Sequence, residues 1–290
     1  MQHSENSLLA RVLISGRGKT KREVDFNHNI KIFTEDDIKR ITSNYRTPIG
    51  KGGFGEVYRG ILDDDCVAVK RYIRGDTVDE FREEVNIHGQ MNQKNVVKLI
   101  GYCAGEDTLT MVTEYISNGN LDDTLHNSAI PIPLDTRLGI DIGCAEALRY
   151  MHSMHLSSEN LVCHGDIKPA NLLLDYNLTA KVSDFGLSRL LSGGITRYTR
   201  MSYPKDTIYS FGAVLLELLT RKKVKEGIIE ALRKANAKRK RLRELFDAEI
   251  ANESNAKILE DIAVLATECL SLDIYTHPQM NEVVDRLCKL

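Results

Sequence analysis

The chain has 290 residues, enough for a two-lobed globular body with buried cores and too few for several independent domains. Its 39 basic and 41 acidic residues nearly cancel, to a formal −2, so the balance gives no reason to expect a nucleic-acid partner or electrostatic attachment to an anionic membrane. Six cysteines (Cys66, Cys103, Cys144, Cys163, Cys269 and Cys288) are scattered without a CxxC spacing, which speaks against a disulfide framework or a cysteine metal site and for reduced cytosolic thiols.

Residues 1–31 mix Arg11, Arg17, Lys19, Lys21 and Arg22 with serine and glycine and show no sustained period, so a flexible leader is expected. The start is too polar for a signal-peptide core, and Gln2 rules out a myristoylated glycine. The most apolar stretch, Phe211 to Leu219, is interrupted by Glu217 and falls far short of the roughly 20 residues of a span. It reads as a buried helix. No direct membrane insertion is expected, and the location expected is cytoplasmic, or the inner face of the plasma membrane through a partner.

Thr34-Glu35-Asp36-Asp37 has the form of a capped helix start, with Ile38 and Ile41 on one face. Next comes Ile49-Gly50-Lys51-Gly52-Gly53-Phe54-Gly55-Glu56-Val57, a G-x-G-x-x-G-x-V run. Its glycines allow close backbone approach to phosphate oxygens, and Val57 returns the chain to a strand; an ordinary glycine hairpin is the plainer alternative. Cys66-Val67-Ala68-Val69-Lys70 then reads as a strand whose lysine reaches either phosphates or solvent. Thr77-Val78-Asp79-Glu80 opens a helix with Phe81, Val85 and His88 on its inner face, His88 being read as a core group. Strands are expected over Val96–Tyr102 and Leu109–Thr113, and a long amphipathic helix from Leu134 to His152 carries Leu138, Ile142, Ala145, Leu148 and Met151 inward.

The centre of the chain is His164-Gly165-Asp166-Ile167-Lys168-Pro169-Ala170-Asn171, an acid, a cation and an amide at offsets zero, two and five. That set suits phosphoryl transfer, in which catalysis is mostly positioning and charge stabilisation. Asp166 can accept the proton of an attacking hydroxyl and Lys168 can neutralise charge on the transferred oxygens, while Asn171 can hold Mg2+ through its amide oxygen. Asp184, in Lys181-Val182-Ser183-Asp184-Phe185-Gly186, offers a second metal ligand.

Together these motifs resemble the eukaryotic protein kinases. Ile32-Phe33-Thr34, Cys163-His164-Gly165-Asp166, the run Tyr209 to Lys223 and Phe246-Asp247-Ala248-Glu249-Ile250 extend the resemblance over about 32–290, to plant receptor-like kinases of the wall-associated-kinase-like group. The resemblance implies an α+β two-lobed fold, with a small β-rich N-lobe over about 32–114 and a larger helical C-lobe over about 115–290. It implies ATP and Mg2+ as cofactors. The nucleotide set would be Ile49, Gly50, Lys51, Gly52, Gly53, Phe54, Gly55, Val57, Ala68, Lys70, Glu84, Thr113, Glu114, Tyr115 and Leu173. Within it Glu84, rather than Glu83, pairs with Lys70, Thr113 is the gatekeeper, and the Glu114–Tyr115 backbone meets adenine. Leu173 lies under the ring, a position equally suited to a plain core leucine. Asn171 and Asp184 would hold the metal, with Asp166 and Lys168 catalytic. Lys168 makes the loop similar to the serine/threonine type, whose partners are proteins presenting Ser or Thr, among them another receptor kinase.

The sequence departs from the family in three places. Gly165 stands where most kinases carry arginine, which removes a guanidinium that would meet an activation-segment phosphate. Activity independent of that phosphorylation is therefore expected. Only Leu187 to Ile208 separates the Asp-Phe-Gly motif from the buried helix; Met201-Ser202-Tyr203 resembles the substrate loop, and the D-P-E element is missing. His277 replaces the arginine that would pair with that glutamate, and Thr207, or Asp206 after a one-residue shift, takes the place of a bracing aspartate. Further on, Arg233-Lys234 and Lys238 to Arg243 read as a solvated face, with a nuclear-import signal or an acidic-partner patch as the alternatives, and Ile258, Ile262, Leu265, Cys269, Val283, Val284 and Leu287 as a core stripe. Three readings follow: a serine/threonine kinase using MgATP, a nucleotide-binding pseudokinase acting as scaffold or regulator, and the cytoplasmic part of a longer receptor.

Overall fold

The computed structural model describes residues 30–52, 55–72, 78–105, 108–154, 161–191, 197–238 and 242–290. Nearly all of the leader lies outside these residues, as do Gly53, Phe54, the helix cap expected at Thr77 and the basic run 239–241. The chain divides into two compact units, one holding the residues through Met91 and Lys98–Tyr115, the other Asn92–Val97 and Ile116–Leu290.

In the first unit, β1 (Lys31–Ile32), β2 (Pro48–Gly52), β3 (Gly55–Leu62), β4 (Asp65–Tyr72), β5 (Leu99–Ala104) and β6 (Leu109–Glu114) form one sheet in the order β1-β5-β6-β4-β3-β2. Helix α1 (Glu35–Ile41) starts at a reciprocal cap: the Thr34 hydroxyl accepts from the Asp37 N–H, and the Asp37 carboxylate accepts from the Thr34 N–H. Period-two alternation along β4 decides what lies on each face. Val67 and Val69 pack with Ile38, Ile41, Cys103 and Val112. Tyr72, on the opposite face, packs with Phe81 and Val85 of α2 (Val78–His88) and with Leu99, Tyr102, Leu109 and Met111. Each such buried apolar side chain contributes about 1.5–3 kcal/mol, so this cluster is what fixes α2 on the sheet. The strand expected from Val96 starts only at Leu99, because Val96 and Val97 are committed elsewhere: both meet Val182, with the Val97 N–H donating to its carbonyl at 3.0 Å.

The second unit contains α3 (Leu121–His126), α4 (Leu134–Ser153), β7 (Leu161–Cys163), β8 (Leu172–Leu174), β9 (Ala180–Val182), β10 (Arg189–Leu191), α5 (Arg197–Thr220), α6 (Glu226–Lys238), α7 (Leu242–Leu245), α8 (Ala256–Cys269) and α9 (Met280–Leu287). Two short antiparallel pairs, β7 with β10 and β8 with β9, carry the central loop. Helix α4 packs against β7, β9 and α9 and is buried around more of its surface than one stripe: Ile140, Cys144, Ala147, Leu148 and Met151 are all inaccessible, whereas Leu138 and Ile142 are half-buried. On α8 the inward set is Leu259, Ile262, Leu265, Ala266 and Cys269; Ile258 is turned to the edge. Asp247 and Glu249, from the Phe246–Ile250 motif, both accept from the buried Arg137 guanidinium. That guanidinium also donates to the Ile132 and Leu218 carbonyls, each at 2.7 Å, so four hydrogen bonds answer its burial.

Helix α5 corrects the reading of 201–203 as a substrate loop, since its helical backbone begins at Arg197 and runs through all three residues and Pro204. Further along, Thr207 is buried and Asp206 is exposed. His277 is buried, with its Nε2 2.8 Å from the Ser271 carbonyl.

Asp141 sits on the inner side of α4, and its Oδ1 has no hydrogen-bond partner among the described residues. Burial holds its carboxyl well above the usual range, with Arg137 opposing. The native chain therefore keeps a proton that the unfolded chain releases near pH 4. Stability from this group is full below that pH and is lost as pH rises towards the native value. The variant Asp141→Asn cannot ionise, so its unfolding free energy from urea titrations, followed upward from pH 4, should gain on the wild type by up to about 1.4 kcal/mol per pH unit.

Candidate functional site

In the first unit the glycine-rich run forms the β2–β3 hairpin, with Gly50 opposite Val57, Lys51 opposite Glu56 and Gly52 opposite Gly55. Its glycines serve different ends. A Cβ on Gly52 would meet nothing within 4 Å, which suits exposed backbone, whereas one on Gly55 would lie 2.1 Å from the Arg71 carbonyl oxygen of β4. Gly55 is thus demanded by strand packing. Lys51 pairs with Glu56 at 3.3 Å, and Ile49 is exposed. Ladder register places Val57 opposite Lys70 and Ala68 opposite Thr113. Glu114 turns its carboxylate to the Lys98 N–H at 2.8 Å, and Tyr115 lies beneath the Arg59 guanidinium at 5.5 Å.

Lys70 Nζ lies 3.0 Å from each carboxylate oxygen of Glu84, the acid being almost wholly buried. Adjacent Glu83 is only half-buried. Helical spacing explains the choice: Phe81, Glu84, Val85 and His88 share the face that α2 turns to the sheet, all four buried. The Tyr72 hydroxyl also reaches Glu84, a contact that motif reading passed over although Tyr72 follows Lys70 at the same-face spacing of a strand.

In the second unit the loop after β7 gathers the polar residues spaced at two and five. Asp166 Oδ2 accepts from Lys168 Nζ at 2.7 Å and from Asn171 Nδ2 at 3.0 Å. Asn171 Nδ2 also donates to the Asp166 carbonyl at 2.8 Å, which turns the amide oxygen away from Asp166. Asn171 supplies an amide oxygen and Asp184, on the adjoining segment, a carboxylate, the oxygen types that a hard cation takes. Ser183 brings that segment in, its N–H and hydroxyl both donating to the Asn171 carbonyl at 2.9 and 3.0 Å, immediately before Asp184. Asp184 has φ of 61°, a left-handed turn that redirects the chain after β9. Leu173 is half-buried in β8, paired with Lys181 and bridged to Asn120.

His164 is the strut beneath this loop, a role that the motif did not disclose. Its Nδ1 accepts from the Asp166 N–H at 3.2 Å, its Nε2 donates to the Ser183 carbonyl at 3.0 Å, and its ring lies 4.9 Å from that of Phe185. Burial pulls its pKa down to about 4, so the ring is neutral at pH 7, the state in which one nitrogen donates and the other accepts. One residue on, Gly165 has φ of +81°, and a Cβ there would stand 2.4 Å from the Leu187 carbonyl oxygen. The backbone after the Asp-Phe-Gly motif occupies the space that any side chain at 165 would need.

Residues 43–287 match the family model for the protein kinase domain. Wall-associated receptor kinases 1 and 4 of Arabidopsis thaliana are 39% and 38% identical to the chain over 90% of its length. The chain spans 39% of the length of each of these relatives. The Arabidopsis protein named "Probable serine/threonine-protein kinase CST" is 32% identical over 99% of the chain and 76% of its own length.

A side chain at 165 should not restore what the glycine lacks. Gly165→Ala and Gly165→Arg should each lower unfolding free energy by about 1–3 kcal/mol in urea titrations, and Gly165→Arg should gain no activation from phosphorylated activation-segment residues.

Proposed function

Because the chain belongs to the protein kinase family, in its plant wall-associated-receptor-kinase-like group, we propose that it is a serine/threonine kinase of receptor-type signalling that transfers the γ-phosphoryl group of ATP to protein hydroxyls. The family's chemistry uses ATP and a divalent metal, here taken as Mg2+. The observation that carries the reading is the bonding of Asp166, whose Oδ2 is pinned by Lys168 and Asn171. Pinning one oxygen orients the other, Oδ1, as a proton acceptor.

In this reading Asp166 takes the proton of a substrate Ser or Thr hydroxyl as its oxygen bonds to the γ-phosphorus. The bond from that phosphorus to the bridging oxygen breaks, and ADP leaves. Lys168 sits where charge on the transferred oxygens is neutralised, at 2.7 Å from the same carboxylate. Lys70, held by Glu84, grips the α- and β-phosphates, and the glycine hairpin from Ile49 to Val57 covers them. Ala68, Thr113, Glu114, Tyr115 and Leu173 frame the base. Asn171 and Asp184 would hold the metal, which when bound would neutralise phosphate charge. The partners are proteins presenting Ser or Thr, among them another receptor kinase, on the cytoplasmic side; no helix among the described residues is long and apolar enough to cross a membrane.

One observation favours a second reading, an ATP-binding pseudokinase acting as a scaffold or regulator: the stretch 201–203, which should present the substrate peptide, is helical. A misplaced substrate segment costs orders of magnitude in rate while leaving nucleotide contacts in place. Purified protein, labelled ATP and a generic basic protein substrate distinguish the two. The kinase reading expects label on Ser or Thr, reduced at least about 100-fold in Asp166→Asn. Label absent from both proteins, together with a rise in melting temperature on adding MgATP, would overturn it in favour of the scaffold. Neither label nor stabilisation would overturn both.

A further inference from the structure

Tyr72 lies two residues beyond Lys70 on β4, so the two side chains leave the same face of the strand. Phe81 lies three residues before Glu84 on α2, so these also share a face. The two pairs interlock. The Tyr72 hydroxyl donates to Glu84 Oε2, one of the two oxygens that Lys70 also binds. Its ring meets Phe81 edge-on at 5.1 Å and carries the Lys70 ammonium 4.9 Å above its centre. Met111 Sδ is 3.2 Å from the hydroxyl oxygen, and Tyr72 is 2% exposed, so water does not compete for the hydroxyl. A single aromatic residue therefore touches both ends of the ion pair and the helix that carries its acid.

We propose that Tyr72 is the positioning residue that holds Glu84 against Lys70, setting the phosphate-gripping lysine from within its own strand rather than through a phosphorylated activation segment. The inference rests on the reading that Lys70 grips nucleotide phosphates. The physical reasons are charge and direction. A carboxylate as buried as Glu84 needs more than one donor to stay ionised and in one orientation. When Lys70 turns part of its hydrogen-bonding capacity to a phosphate, the phenol keeps Glu84 in place, so the pair need not re-form at each turnover. Gly165 is a separate observation: position 165 supplies no guanidinium to pair with a phosphate.

The test compares wild type, Tyr72→Phe and Glu84→Gln. Competitive acetylation of the ligand-free proteins with acetic anhydride, read by peptide mass spectrometry, gives the reactivity of Lys70 with Lys98 and Lys257 as internal references. Steady-state kinetics with MgATP give KM and kcat. In Tyr72→Phe, Lys70 should acetylate about fivefold faster with both references unchanged, and the KM for ATP should rise by a similar factor with kcat altered less than twofold. Glu84→Gln should exceed it in both measures. Lys70 labelling at the wild-type rate in Tyr72→Phe, with Glu84→Gln faster, would overturn the proposal. So would faster labelling of all three lysines, which reports general loosening. A wild-type protein that binds no MgATP would overturn the nucleotide reading instead, and the acetylation comparison would still decide whether Tyr72 holds the pair.

Discussion

A carboxylate oxygen that accepts from two donors at once fixes the orientation of the whole group. In this chain the holding is done by Lys168 and Asn171 on Asp166 Oδ2, and much of the second unit serves to keep that arrangement in register. Ser183 ties the loop to the strand after it, and His164 ties it to the same segment from below. The β8–β9 pair brings Leu172 opposite Val182, so that two stretches a dozen residues apart in sequence present one polar surface. Each of these bonds uses at least one side chain, and the strands beside them, β7 and β9, pack on α4, whose inward side chains are almost entirely inaccessible. Precision in the loop is thus inherited from packing beneath it.

Several parts of this arrangement were legible from the residues alone. An acid, a cation and an amide at fixed offsets in one short loop have few ways to be far apart, and they meet as the spacing implies. The Thr34 cap was equally local, a hydroxyl and a carboxylate three residues apart with no tertiary requirement. The choice of Glu84 over Glu83 came from family likeness, and the geometry supplies the cause, the orientation of α2 set by Phe81 and Val85. The features that escaped were those decided by partners distant in sequence. Val96 and Val97 have strand composition, yet the Val96 N–H is taken by the Gln93 carbonyl and the Val97 N–H by that of Val182. Leu259, not Ile258, faces inward on α8 because helix rotation is fixed by what lies across from it, and periodicity leaves that phase ambiguous by one residue. His164 stands inside the central motif without a role that the motif gives it, and Tyr72 lies outside any motif; each matters through where its polar atom points.

The second unit also shows how a charge can be buried at modest cost. Arg137 directs its guanidinium at two carboxylates and two backbone carbonyls, and Arg221 repeats the pattern with Glu249 and the Leu125, Ser128 and Ile130 carbonyls. The Asp247 and Glu249 pair is therefore a structural clamp between α4, the end of α5 and the segment before α8. Asp141, one turn from Arg137 on the same helix, shows the opposite case, a buried acid with one oxygen unanswered among the described residues. Both arise on one helix because α4 is enclosed from several sides, and the outcome for each polar group depends on which donors happen to converge on it.

Helix α5 contains Pro204 at its eighth position, well inside the helical run. Proline offers no N–H to the carbonyl four residues earlier, and its ring crowds that carbonyl, a local defect of about 3 kcal/mol. Behind it, the helix is held by the apolar core that takes in Ile208, Phe211 and Leu215. The hydrogen-bond ladder of α5 is therefore interrupted at one step, and past that step the rod owes its continuity to side-chain burial as well as to its own backbone.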